Sequence, residues 1–263
     1  MTDTDIDTDT SDTSDTSWVL RAEDRGHDRY LSTGESASYI AGHPESILTR
    51  HSSFNFHEYQ SGRGGFGRIR VFGEELFEGM GCGYNIHPHH NFVICAFVLG
   101  GKLTHVNSLL GGVDELTAGD YYAFSTGSGG KHAELSISGE DLHVIYIWML
   151  PSQLLLPPTY QRDHFDRDTA PNEILELFGP GSGAKAIAAD VRISRLFSDR
   201  AGEHTYTPLQ AGNGVYCFVV DGELGWSGGT LAAGDSVGFS HRSSETLTTS
   251  GVDTDVLIVE TVL

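Results

Sequence analysis

Between Phe66 and Leu150 the apolar residues come in short runs: FGRIRVF (66–72), FVICAFVL (92–99), KLTHV (102–106), DYYAFS (120–125), KHAELSI (131–137) and LHVIYIWML (142–150). Each is rich in β-branched or aromatic residues and is cut by Gly, Asn, Asp or Pro, which predicts strands rather than helices. The Gly100-Gly101 pair predicts a two-residue hairpin turn, since both positions accept positive φ without a Cβ clash. Antiparallel meanders follow. Further on, PPTYQRDHFDRDTAPNE (157–173) reads as an extended, proline-punctuated connector and ILELFGPGSGAKAIAAD (174–190) as a short helix or loop, placing a boundary there.

The pattern then repeats. FVLGGKL (97–103) returns as FVVDGEL (218–224), and LTAGDYYAF (116–124) as LAAGDSVGF (231–239), the second match at an offset six residues smaller because one loop is shorter. Two strand-turn-strand corners in the same order indicate duplication. The expected fold class is therefore all-β, with two stacked β-barrels of one design. The first occupies residues 18–160, a linker or short helix 161–190 and the second barrel 191–263. Residues 1–17, with six aspartates and almost nothing apolar, are expected to form a disordered acidic tail.

Composition fits this picture and narrows the function. A 38% hydrophobic chain of 263 residues can bury a substantial core, and 33 glycines suit many turns. The formal charge is −20, and setting the tail's six aspartates aside leaves −14 on the rest. Such acidity disfavours direct binding to nucleic acid or anionic membrane and leaves protein partners open. Three cysteines without C-x-x-C spacing argue against a disulfide framework and for a reducing compartment. Apolar stretches such as VIYIWML (144–150) are too short to span a bilayer, and no apolar segment follows a basic start. The expectation is a soluble cytoplasmic protein.

The candidate chemistry lies in NIHPHHNFVICAF (85–97), where histidines crowd the approach to an apolar run. In a strand, His87 and His89 share a face about 6.8 Å apart, and two imidazoles at that spacing converge on an ion roughly 2.1 Å from each nitrogen. Pro88 has no N–H and suits an edge. In STGSGGKHAEL (125–135), His132 and Glu134 again stand two apart. Three imidazoles and a carboxylate suit a borderline divalent metal with one or two positions left open. By parity Cys95 faces the same interior, as a buried structural thiol. His105 and His143 are expected to be satisfied core histidines, with a ligand-orienting role as the alternative. Tyr122, Phe124, Tyr146 and Trp148 read as core or pocket wall.

GCGYNIHPH (81–89), VLGGKLTHVNS (98–108), the AGD corner (118–120), GGKHAE (129–134) and the run from His143 to Pro151 together resemble the pirin family of bicupins. The likeness extends to RGHDRY (25–30) and to most of the chain after Trp18. It implies two cupin barrels of jelly-roll type with one divalent first-row metal in the N-terminal barrel. Iron is the usual ion, with nickel, manganese, cobalt, copper or zinc as alternatives. The implied ligands are His87, His89, His132 and Glu134, with Glu134 also the catalytic candidate. Several pirins resemble flavonol dioxygenases that cleave quercetin with O2, which implies an oxidoreductase acting on an aromatic, enolic or flavonol-like small molecule. The alternatives are a non-oxidative cyclase, isomerase or lyase of secondary metabolism, and a metal-redox-sensing module that binds a protein partner. This chain departs from the family at Val93, where a glutamate is common, and in the polar segment 32–59, which is expected to form a lid or rim. The repeat offsets carry His87 and His89 onto Pro208 and Gln210, and His132 and Glu134 near Leu247 and Thr249, so the second barrel is expected to lack ligands.

Overall fold

The computed structural model describes residues 16–31, 40–42, 44–56, 62–181, 183–251 and 253–263. Among these residues the only helical element is the 3-10 turn Ala22–Asp24; the rest is strand and turn. A seven-stranded antiparallel sheet runs Thr159–His164, Asp120–Ser125, Val93–Gly100, Leu142–Met149, Ile69–Glu78, Ile47–Ser52, Gly26–Leu31. A six-stranded sheet runs Thr16–Leu20, Ser236–Ser240, Gly214–Asp221, Thr254–Thr261, Val191–Ser198, Ile174–Phe178. Each forms a two-layered barrel with a smaller sheet. Ile40–Ala41, Cys82–His89, Gly130–Ser136, Lys102–Asn107 and Val113–Thr117 cover the first, while Ala201–Tyr206, Glu245–Ser250, Glu223–Trp226 and Gly229–Ala232 cover the second.

The two large sheets pack against each other, which explains why their sequences are continuously apolar rather than alternating. Every residue from Val93 to Val98 is buried, because the sheet is covered on both faces. Val93, Cys95 and Phe97 join Ile145, Ile147 and Met149 in a cluster shared with Phe178, Ile193, Tyr216, Phe218 and Val259 of the second barrel. Their neighbours Ala96, Val98, Val144 and Tyr146 face the other way, into the first barrel with Cys82, Leu103 and Tyr122. The duplication is visible in the turns. Gly101 and Gly222 have φ of 72° and 76°, and a Cβ would lie 2.1 Å from the Asp141 carbonyl oxygen at the first and 2.3 Å from that of Asp253 at the second. Of the Gly100-Gly101 pair only Gly101 is left-handed; Gly100 remains in its strand opposite His143.

Three element assignments from the sequence are corrected. Ile174–Phe178 is a strand paired with Val191–Ser198, not a helix: Gly179 and Pro180 cut the run before a helix can nucleate, and an open sheet edge supplies backbone partners. Thr159–His164 extends the first barrel's sheet through Asp120–Ser125, so the connector begins later than residue 161. Thr16 and Ser17, assigned to the tail, pair with Ser240 and Phe239 of the second barrel. The strand is held there by Trp18, whose ring lies 5.6 Å from Phe66 and 6.0 Å from Tyr216. The remainder of the tail, residues 1–15, lies outside the described residues, as do 32–39, 43 and 57–59 of the expected lid.

At the seam between the barrels, buried Arg25 binds Glu74 at 2.6 Å and the His51 carbonyl at 2.8 Å, with its guanidinium 4.8 Å from the centre of the Phe218 ring. Burial alone would raise the Glu74 carboxyl, but the hydrogen bond from His143 and the Arg25 charge overcome this and hold it down at about 2. A depressed acid stabilises the fold above its unfolded value, and this contribution fades as pH falls from about 4.5 through about 2. The stability gap between wild type and Glu74→Gln, from urea unfolding at a series of pH values, is expected to narrow over that window by up to about 3 kcal/mol. A gap independent of pH would contradict it.

Candidate metal centre

Cys82–His89 lies between Ile40–Ala41 and Gly130–Ser136, and its histidines close the strand rather than open the next. The chain leaves the sheet at Asn91, whose φ is 55°, and enters the seven-stranded sheet at Val93. Among the described residues the outer neighbour pairs only Gly83 and Tyr84, so Pro88 sits where its missing N–H costs no ladder bond. Across the inner ladder His132 faces His87, but Glu134 faces Tyr84. Two steps on one strand match three on the other, a bulge that brings Tyr84 as well as His87 onto the cavity wall.

The donors converge. Ring centroids of His87, His89 and His132 are 4.5 to 4.9 Å apart, and a nitrogen from each lies within 4.8 Å of the others. The Asn85 carbonyl accepts a hydrogen bond from His87 Nδ1 at 2.7 Å, which leaves the Nε2 lone pair free. His89 Nε2 and both nitrogens of His132 are buried without partners. His132 Nδ1 is 3.6 Å from Glu134 Oε1, which accepts a hydrogen bond from the Tyr122 hydroxyl. A second donor group consists of His105, His132 and Glu134, so His132 belongs to both. His105 stacks on Tyr122 with centroids 4.4 Å apart, and neither of its nitrogens has a partner, unlike the satisfied core histidine expected. His143 instead binds Glu74 at the seam.

Electrostatics make this cluster hungry for a cation. Burial, then the neighbouring imidazoles, pushes His132 well below the usual range and His89 down to about 4; burial takes His105 to about 3. All are thus neutral with lone pairs available. Burial also pushes Glu134 up to about 8, against the hydrogen bond from Tyr122. Each unpaired buried polar atom costs about 1–3 kcal/mol, and a divalent ion that accepts the lone pairs offsets this directly. The residues fit a metal.

Beside the donors lies a cavity of about 270 Å³, walled by Phe56, Val71, Tyr84, Tyr146 and Trp148 and reached by His87, Glu134, Arg50 and Glu75. Tyr146 and Trp148 are thus pocket wall, while Tyr122 and Phe124 are fully buried beside it. The sequence reading missed Arg50 and Tyr84. Its available signal was the alternation of Ile47–Ser52, where Leu48, Arg50 and Ser52 all point inward.

Cys95 does not face this interior. Parity fails across the break at Asn91, and Cys95 and Val93 both lie in the cluster between the barrels. A carboxylate at position 93 would face that apolar seam rather than the imidazoles. In the second barrel, Gly225 pairs with Thr248 as Thr104 pairs with Leu135, which sets Glu245 in the place of His132 and Leu247 in that of Glu134, two residues earlier than the repeat offsets gave. Glu245 is tied to Ser227 and Arg242, and Leu247 is core. Among the described residues, both donor groups lie in the first barrel.

The Pirin family profile matches residues 36–149, and one described as the quercetinase C-terminal cupin domain matches residues 180–261. The chain is 28% identical over 176 residues to a quercetin 2,3-dioxygenase of Escherichia coli K12, spanning 66% of this chain and 74% of that protein. It is 26% identical over 213 residues to a pirin-like protein of Caulobacter vibrioides, spanning 80% and 90%. The crystal structure of the bacterial pirin YhhW from Escherichia coli in complex with nickel(II) superposes with a TM-score of 0.79 at 22% identity, covering 94% of this chain and 99% of that one. Both halves of the chain match, in order, the two barrels of one architecture, and the protein belongs to the pirin family of cupins.

Proposed function

We propose that the protein is a metal-dependent dioxygenase of quercetinase type, acting on a small aromatic or enolic substrate, with His87, His89, His132 and Glu134 holding one divalent first-row metal. The observation that carries it is the convergence of three neutral imidazoles, with His89 Nε2 and both His132 nitrogens unpartnered, beside an aromatic-lined cavity that His87 reaches. The names of the relatives give it further support. When bound, the metal supplies Lewis acidity and a template for an enolate or phenolate and O2. The chain's own residues do the rest. Trp148 and Phe56, in edge-to-face contact with centroids 5.3 Å apart, form an aromatic side of the cavity against which a planar ring would pack. Glu134, ionised once a metal is bound, would take a hydroxyl proton from the substrate, and the Tyr122 hydroxyl that donates to it would orient it. The His87 tautomer is fixed by Asn85. Apolar walls exclude water.

Metal analysis of the purified protein followed by oxygen uptake with quercetin and with catechols tests the reading. About one metal per chain and substrate-dependent oxygen consumption are expected. Full metal content with no oxygen consumption on any of these substrates overturns the oxygenase assignment.

A further inference from the structure

We infer that the cavity beside the imidazoles selects a small planar acid of about one ring, aromatic or enolic, whose carboxylate is received by Arg50. The inference rests on the metal-dependent reading above and narrows its substrate class.

Arg50 is 1% exposed, yet its guanidinium is only partly used. Nε donates to Glu75 Oε1 at 2.8 Å, and Nη2 is tied to the Tyr84 hydroxyl, which donates to Glu75 Oε2 at 2.8 Å. Phe56 covers one face, 4.4 Å from the guanidinium carbon. These contacts fix the plane of the fork; Nη1 is buried with no partner, and Arg50 is one of the residues that line the cavity. An unpaired donor on a buried charge is costly to leave unmade, and a carboxylate is the acceptor an arginine fork fits best. The tether is also continuous with the metal centre, because the Tyr84 ring lies 6.0 Å from that of His87.

Charge and size point the same way. Among the described lining residues Arg50 and Glu75 cancel, and a divalent ion against Glu134 would leave one net positive charge, the complement of a monoanion. A volume of about 270 Å³ falls below the roughly 300–1,000 Å³ of pockets for drug-sized ligands, which favours one ring over three.

The test compares 2-hydroxybenzoate with the neutral 2-hydroxybenzamide on nickel-loaded protein, by calorimetry and by quenching of tryptophan fluorescence, since Trp148 lines the cavity. The acid is expected to bind at least about tenfold tighter than the amide, about 1.4 kcal/mol. In Arg50→Gln this preference should collapse to about unity while metal content and amide binding persist. Because Arg50→Gln strands Glu75, the double variant Arg50→Met with Glu75→Gln removes both charges and is measured alongside. Equal affinities in wild type, or an acid preference that survives in a metal-replete variant, overturns the inference. Oxygen uptake with one-ring substrates, catechol and 2-hydroxybenzoate, is followed separately. Uptake without acid preference removes the Arg50 assignment and keeps the oxygenase; acid preference without uptake does the reverse.

Discussion

His132→Ala is expected to reduce bound metal from about one ion per chain to background and to abolish any metal-dependent oxygen uptake. Of the donors it should have the largest effect, because His132 is common to both donor groups, whereas His87→Ala leaves His105, His132 and Glu134 in place. Loss of even an outer hydrogen-bond partner of a ligand typically costs roughly 10–100-fold in metal affinity, so removal of a ligand at the centre should exceed about 100-fold. The stabilisation that metal confers on wild type in thermal unfolding should vanish with it, since a ligand bound to the native state alone raises stability by mass action. The controls are His204→Ala and His241→Ala in the second barrel. His204 touches Thr249 at 3.4 Å and His241 sits in a turn with φ of 61°, and neither belongs to a donor group. Both variants should keep full metal. Stoichiometric metal in a folded His132→Ala, checked by circular dichroism and elution volume, would sink the ligand assignment.

The fold was legible where sequence pattern and packing share one cause. FVICAFVL is apolar without alternation because its sheet is buried on both faces, and the repeated turns at Gly101 and Gly222 carry the duplication in their backbone conformation. His87, His89, His132 and Glu134 were legible as pairs because residues two apart share a strand face, and the pairing of the two strands brings those faces together. What failed were inferences that carried parity or composition past a break. The step through Asn91 changes sheets, so Cys95 was assigned to the wrong side. The bulge between His132 and Glu134 puts Tyr84 where strict alternation would put Asn85. Thr16 and Ser17 look like tail by composition, but a sheet edge more than two hundred residues away gives them partners. Arg50 was missed because a buried arginine cannot be told from an exposed one until Glu75 and Tyr84 are seen beside it.

Tyr216→Ala should lower the unfolding free energy by about 3–5 kcal/mol, the usual cost of truncating a buried aromatic, whereas Tyr216→Phe should cost only about 1 kcal/mol. Tyr216 is fully buried, with its ring 5.6 Å from Phe54 and 5.0 Å from Phe72 of the first barrel, and its hydroxyl 2.8 Å from Ser53 Oγ. Although far from the imidazoles in sequence and attached to the other barrel, it bears on the metal centre through one sheet. Ile145, Ile147 and Met149 pack into the cluster that contains Tyr216, while Tyr146 and Trp148 on the same strand wall the cavity. In urea, wild type should therefore lose metal and structure at one midpoint, and Tyr216→Ala should shift both together. A variant that retains metal past the point where the second barrel has melted would mean that the first barrel stands alone and that the seam contributes nothing to the site.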